Sequence, residues 1–133
     1  MVYYDASEVP VALGFYTLFE DGSVLTGGQM PTGTSVAVGS IDAKGIFESA
    51  ESGLKQILEC TNNQATLLLP CVTRYIMLAP NQESELQLIQ KTLTNNGNSF
   101  ILGYSGGEIC PVPDADGVLR NRFHNYTFCA CIL

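Results

Sequence analysis

An unbroken run in the middle of the chain, Ala65–Leu69, constrains the fold more than any other stretch. It has the length of a strand, and Pro70 follows it directly. Successive side chains of a strand point to opposite faces, so a strand without polar alternation is buried on both faces. The run therefore predicts a central strand around which the other elements are arranged.

Two stretches with helical periodicity flank this strand. Before it, Asp42 is the predicted N-cap of a helix whose apolar residues share one face: Ile46, Phe47, Ala50, Leu54, Ile57 and Leu58. After it, Glu83–Leu93 predicts a second helix with Leu86, Ile89 and Leu93 inward. Gly53 weakens the first helix unless it permits close packing on a sheet. Tyr75–Leu78 either prolongs the central strand or opens a helix.

The remaining apolar runs predict short strands. In the first third these are Val9–Leu13 as an edge strand, a hairpin turning at Asp21-Gly22, and Ser35–Val38, which together predict an antiparallel meander. In the last third, Phe100–Leu102 and Phe128–Leu133 predict two strands separated by a loop. The fold class is α+β, with a mainly antiparallel sheet and two helices packed on one face, as a single domain over residues 1–133.

Composition excludes several classes of function. The net charge is −7 and the six Lys and Arg residues are scattered, so there is no basic face for nucleic acid or an anionic membrane. No run approaches the ~20 apolar residues of a membrane span, and the start lacks the basic region of a signal peptide. Only 14% of the residues are charged, which indicates either a surface covered by another domain or one solvated through Ser, Thr, Asn and Gln.

Cysteine usage indicates a reducing compartment, which we take to be the cytoplasm. The five cysteines are odd in number and include no CxxC pair, which favours thiols over disulfides. A zinc site needs closely spaced Cys and His pairs, and the chain has one His. We therefore expect no metal and no cofactor.

The glycine-rich stretch Gly103–Glu108 is the densest unusual pattern. It matches neither a P-loop nor a dinucleotide fingerprint, so it is either a sheet bend or a bend that also approaches a ligand. Glu108 lies in an apolar setting and needs a partner, for which Arg74 is the candidate. That pair is either structural or orients the arginine toward a small acid.

The segment His124–Thr127 opens the last predicted strand, with Asn125 and Thr127 on one face. The ends of the two late strands are then expected to face Cys71–Arg74.

A cysteine nucleophile set combines a cysteine, a histidine and an acid, and Cys71, His124 and Glu108 have these residue types. However, a cysteine that follows an apolar strand is more often buried and inert, so we expect no catalysis. Asp114 and Asp116 fail the calcium-loop pattern and predict a turn.

Three motifs in order resemble the C-terminal part of FIST domains. They are LLLPCVTR at 67–74, GYSGGEI at 103–109 and FHNYT at 123–127. The first half of the chain fits more loosely, and Ser105-Gly106 departs from the aromatic residue that the family often has before Gly-Glu. The resemblance implies a sensory domain that binds a small ligand, with amino acids as the candidate class, and that occurs beside a FIST N-terminal domain and downstream signalling modules.

The predicted function is a non-catalytic, ligand-binding sensory domain of a signal transduction protein. The matched motifs and their neighbours supply the predicted ligand-binding residues: Cys71, Arg74, Tyr104, Gly106, Gly107, Glu108, His124, Asn125 and Thr127. The alternative is a protein-interaction module that packs on a missing N-terminal domain or on a signalling partner.

Overall fold

A computed structural model describes residues 2–5, 10–60, 65–114 and 116–133. The strands are β1 (Val2–Asp5), β2 (Pro10–Leu13), β3 (Phe15–Leu18), β4 (Val24–Thr26), β5 (Val36–Val38), β6 (Thr66–Pro70), β7 (Phe100–Leu102), β8 (Glu108–Pro113), β9 (Leu119–His124) and β10 (Phe128–Ile132). The helices are α1 (Ala43–Cys60), α2 (Val72–Met77) and α3 (Ser84–Asn95). The fold class is α+β with mainly antiparallel pairing, as predicted.

The chain divides into two compact units. Unit 1 comprises residues 1–40 and 107–126, and unit 2 comprises residues 41–106 and 127–133. The single domain over residues 1–133 stays a prediction. Among the described residues, no helix combines the length and the apolar character needed to cross a bilayer.

Unit 2 is built on β6, the run that most constrained the fold. β6 lies between β10, which is antiparallel to it, and β7, which is parallel and follows α2 and α3 in the chain. On one face, Leu68 of β6 packs in a buried cluster with residues of α1 and α3: Leu54, Ile57, Ile89 and Leu93. The predicted central strand, and two helices on one face, are therefore confirmed.

Two details of unit 2 differ from the sequence-based expectation. Leu69 is 39% exposed, so the prediction that the central strand is buried on both faces is wrong: α1 and α3 cover only the Leu68 face. The open choice at Tyr75–Leu78 is decided in favour of a helix, since α2 begins two residues after β6 ends.

Local sequence explains the placement of α1. The Asp42 Oδ1 atom accepts a hydrogen bond from the Gly45 N–H at 2.8 Å, which confirms the predicted N-cap. At Gly53, a Cβ atom would lie 2.6 Å from the Phe128 ring. The glycine therefore lets α1 approach β10 closely, as expected for a helical glycine facing a sheet.

Unit 1 contains a three-stranded sheet and two hairpins. The sheet order is β2-β1-β5, so β2 is an edge strand, and the Val9 end of that prediction lies outside the described residues. The β3–β4 hairpin turns at Asp21-Gly22 as predicted, with Gly22 at φ 82°. The meander is wrong in its third strand, because β5 pairs with β1 rather than with the hairpin. A β-branched run favours a strand but does not select its partner.

The second hairpin of unit 1, β8–β9, occupies the region predicted as a loop. Its turn is closed by the Asp114 N–H, which donates to the Val118 carbonyl at 3.0 Å, while the Gly117 N–H donates to the Asp114 carbonyl at 2.9 Å. Asp114 therefore lies in a turn, which confirms the turn that the sequence predicted after the calcium-loop pattern failed. The proline residues Pro111 and Pro113 weaken the strand signal in the sequence.

Candidate functional site

Three strand ends of unit 2 meet at Cys71, as predicted. The Cys71 N–H donates to the Thr127 carbonyl at 3.0 Å, immediately before β10. The Val72 N–H donates to the Ser105 carbonyl at 2.7 Å, just after β7. The backbone of the Cys71 segment is thus satisfied by the two late strands, and Thr127 takes part through its main chain.

The Cys71 side chain is fully buried. Its Sγ atom lies 2.7 Å from the Thr73 Oγ1 atom, a contact in which either group is able to donate. Cys71 belongs to unit 2, whereas the other members of the supposed nucleophile set, Glu108 and His124, belong to unit 1. Both the ligand role of Cys71 and the absence of catalysis stay predictions.

Arg74 forms a buried ion pair in unit 2 and ties together all three helices. Its side chain is 2% exposed, and its Nε and Nη2 atoms donate to the Glu85 Oε1 atom at 2.9 and 2.6 Å. The Nη2 atom also donates to the Ile46 carbonyl at 2.8 Å and to the Ser49 Oγ atom at 3.0 Å. The Phe128 ring lies 5.6 Å below the guanidinium. These contacts give Arg74 a structural role within the unit.

Glu85 is a residue that the sequence interpretation missed. It is 0% exposed and lies on the same face of α3 as the buried residues Ile89 and Leu93, which follow it at positions i+4 and i+8. A carboxylate in an inward stripe requires a buried cationic partner, and this signal was present in the sequence. The predicted partner of Arg74 was Glu108, which lies in unit 1, and that pairing stays a prediction.

Tyr104 contacts the same ion pair. Its hydroxyl group donates to the Glu85 Oε2 atom at a long 3.5 Å, and its ring centroid lies 5.3 Å from that of Tyr75. Burial, followed by the negative charge of Glu85, raises the pKa of Tyr104 to about 12. Tyr104 therefore stays protonated near neutral pH. Nearby Gly106 has open space where a Cβ would stand, so none of the residues that the structure describes requires a glycine there.

In unit 1, the pairing of β8 with β9 places Glu108 directly opposite His124. Both side chains are buried, at 5% and 6% exposure. Burial lowers the pKa of His124, and Arg122 lowers it further, while Glu108 acts in the opposite direction. The imidazole is therefore neutral at pH 7. Its buried Nε2 atom has no hydrogen-bond partner in the part of the chain that the structure describes.

Asn125, the next residue, is 1% exposed and has one half of its carboxamide satisfied. The Oδ1 atom accepts from the Gly14 N–H at 2.7 Å, which fixes the orientation of the amide. The Asn125 N–H donates to the Ala12 carbonyl at 2.9 Å. The Nδ2 atom is buried and has no acceptor among the described residues. Asn125 thus offers a donor that no described residue of the chain uses.

Glycines surround the Asn125 carboxamide. A Cβ on Gly27 would collide with the Asn125 Oδ1 atom, and a Cβ on Gly107 would lie 3.2 Å from Nδ2 and 2.7 Å from the Phe123 ring. The sequence interpretation included Gly107 but missed Gly14 and Gly27. Glycines next to short strands often mark a close approach, which is the signal that would have found them.

The segment 124–127 does not open the last strand. His124 ends β9, β10 begins at Phe128, and Tyr126 between them has φ 66°. The predicted alternation of faces is therefore wrong, because the chain bends through a left-handed residue instead of continuing as a strand. This bend is where the chain passes from unit 1 to unit 2.

Comparison with known proteins identifies the family. The family model described as the FIST C domain matches residues 10–111, which includes the motifs at 67–74 and 103–109 and ends before the His124 motif. No curated protein and no solved structure matched the chain. Because the match covers well over half of its residues, the chain belongs to the FIST C domain family, a family of sensory domains in signal transduction.

Proposed function

We propose that the chain is a non-catalytic domain that binds a small polar metabolite of the amino-acid type and passes its occupancy to a cytoplasmic signalling protein. One observation supports this most strongly. Two adjacent buried side chains in unit 1, His124 and Asn125, each have a hydrogen-bonding atom without a partner among the described residues.

Unpaired buried polar atoms favour ligand binding energetically. Leaving such a donor unsatisfied costs about 1–3 kcal/mol, which a ligand oxygen accepting from the Asn125 Nδ2 atom would recover. The neutral His124 ring offers a second hydrogen bond, and the carboxylate of Glu108, opposite His124, suits an amine. A molecule that carries both a carboxylate and an amine fits this combination.

Both unpaired atoms are buried, so a ligand reaches them only if the glycine segments around Asn125 move. Such a movement would couple occupancy to conformation, which is the property that a sensory domain needs. The predicted residues in unit 2, including Cys71, Arg74, Tyr104, Gly106 and Thr127, remain proposed ligand contacts. The bonds from Arg74 to Glu85 favour a structural role for that residue.

The test is a thermal-shift screen of the full chain against the proteinogenic amino acids and small hydroxy and keto acids. The decisive variant is Asn125→Asp, which keeps the Oδ1 acceptor for Gly14 and removes the Nδ2 donor. The matched control is Asn121→Asp, the same substitution at an exposed position of β9, the strand that ends just before Asn125. We expect a stabilising ligand for the wild type and the control, and none for Asn125→Asp. The proposal fails if no compound stabilises the wild type, or if the same compound stabilises Asn125→Asp equally.

A second function, packing on a FIST N-terminal domain or a signalling partner, is favoured by the β3–β4 hairpin. It exposes large apolar side chains, with Leu18 at 66%: Phe15, Tyr16, Leu18, Phe19, Val24 and Leu25. Exposed apolar patches of this kind mark interaction surfaces. If this function applies, a FIST N-terminal domain added to the chain raises its melting temperature, and Leu18→Lys with Leu25→Lys removes that effect. Equal stabilisation of the double variant would argue against the hairpin as the contact.

A further inference from the structure

We propose that the groove between α1 and α3 in unit 2 binds an amphipathic helix that carries basic residues beside its apolar face. This inference goes beyond ligand binding and does not rest on it. The groove has a volume of about 420 Å³ and is lined by residues of the two helices: Glu51, Leu54, Lys55, Leu58, Glu59, Leu88 and Thr92.

The floor of the groove is apolar. Leu54 belongs to the buried core, and Leu58 and Leu88 pack against that core while staying half-buried. Each helix therefore contributes one half-buried leucine beside the apolar stripe that faces β6. Two half-buried leucines at the bottom of a groove of this size accept apolar side chains from a partner.

The backbone chemistry of the groove selects a helix as the occupant. Both walls are helices, whose interior N–H and C=O groups are already bonded within the helix. A strand would find no edge to pair with and would leave its own backbone groups unsatisfied. A helix keeps its backbone bonds and presents only side chains, which pack as ridges into the groove between two other helices.

The rim of the groove selects a basic partner. Lys55 is paired with Glu59 at 3.8 Å on the same helix, whereas Glu51 forms no ion pair in the described part of the chain. The three charged rim residues thus carry one net negative charge, and the chain as a whole carries −7. An acidic helix would be repelled, and a Lys or Arg side chain near Glu51 would find a carboxylate.

The test uses a fluorescein-labelled synthetic peptide of about 15 residues, with Leu at helical i, i+3, i+4 and i+7 spacing and Lys elsewhere. The comparison peptides are one of the same composition in scrambled order and one with Glu in place of Lys. Binding is measured by fluorescence anisotropy to the full chain and to the variants Glu51→Lys and Glu20→Lys. Glu20 is exposed near the turn of the β3–β4 hairpin in unit 1, so Glu20→Lys changes the net charge equally at a residue that does not line the groove.

We expect the Leu/Lys peptide to bind the wild type and Glu20→Lys alike, and to bind Glu51→Lys about tenfold more weakly. The Leu/Glu peptide should gain affinity for Glu51→Lys. Equal binding of the scrambled peptide would overturn the proposal, as would equal affinities for the two variants, since either result means attraction by overall charge. Sedimentation that shows a dimer dissociated by Glu51→Lys would also overturn it, because a second copy would then occupy the groove.

Discussion

Breaking the Arg74–Glu85 pair on one side should be the most damaging conservative change in unit 2. In Glu85→Gln the carboxamide keeps the size of the side chain and removes its charge. The guanidinium of Arg74 stays 2% exposed and loses the charge of Glu85. The contacts that it retains include two neutral acceptors, the Ile46 carbonyl and the Ser49 hydroxyl.

The expected cost follows from the burial of the pair. Removing one partner of a buried ion pair costs about 3–5 kcal/mol, because the other charge is left uncompensated. A domain is stable by roughly 5–15 kcal/mol, so this loss is a large part of the total. Replacing both partners with apolar residues, as in Arg74→Met with Glu85→Leu, removes both buried charges and should recover most of the loss.

Urea unfolding followed by circular dichroism measures these differences, provided that the slope of the transition is the same in each variant. The control is Glu48→Gln, which breaks the exposed Lys44–Glu48 pair of α1 at 3.3 Å. It should cost less than about 1 kcal/mol, since both side chains are solvated. The reasoning is refuted if Glu85→Gln costs no more than the control, or if the double variant is less stable than Glu85→Gln alone.

Three further predictions concern the helix α1 and His124. Gly53→Ala should lower stability by about 1–3 kcal/mol in urea unfolding, because its Cβ would overlap the Phe128 ring; a gain in stability would mean that helix propensity outweighs this contact. Asp42→Ala should cost about 1 kcal/mol through loss of the N-cap bond to Gly45, and Asp42→Asn should restore most of it; equal losses in the two variants would contradict capping. The lowered pKa of His124 means that the unfolded chain binds a proton more readily, so stability should fall as pH drops below about 6.5 and level off below the folded-state pKa. The measurement is the urea midpoint between pH 5 and 8, and in His124→Gln this fall in stability should disappear. If the pH profile of the variant is unchanged, the fall in stability comes from other titratable groups.

The sequence predicted best where a local pattern determines the structure. The periodic stripe of α1, the cap at Asp42 and the Asp21-Gly22 turn depend on neighbouring residues and were confirmed. The central position of β6 was also predictable, because an uninterrupted apolar run loses hydrophobic stabilisation wherever it is exposed to solvent.

Pairings between distant segments were not predictable in the same way. The partner of β5 is β1, and the pattern of Val36–Val38 contains no information about that choice. The β8–β9 hairpin was missed because Pro111 and Pro113 disfavour a strand locally. The antiparallel pairing with β9 along the whole of β8 offsets that local preference. In the candidate site, His124 and Asn125 were identified from their motif, but Gly14 is brought to Asn125 by tertiary structure alone.

The division of unit 1 between two parts of the sequence bears on how the protein folds as it is synthesised. Residues 1–40 leave the ribosome well before residues 107–126, yet their unit is completed only when those residues follow. During that interval Asn125 is not available to Gly14, and Val11 and Leu13 of β2, which are buried in the complete protein, lack the strand β9 that contacts β2. Nascent chains halted before residue 107 should therefore recruit chaperones through residues 1–40, a demand that ends when the β8–β9 hairpin emerges.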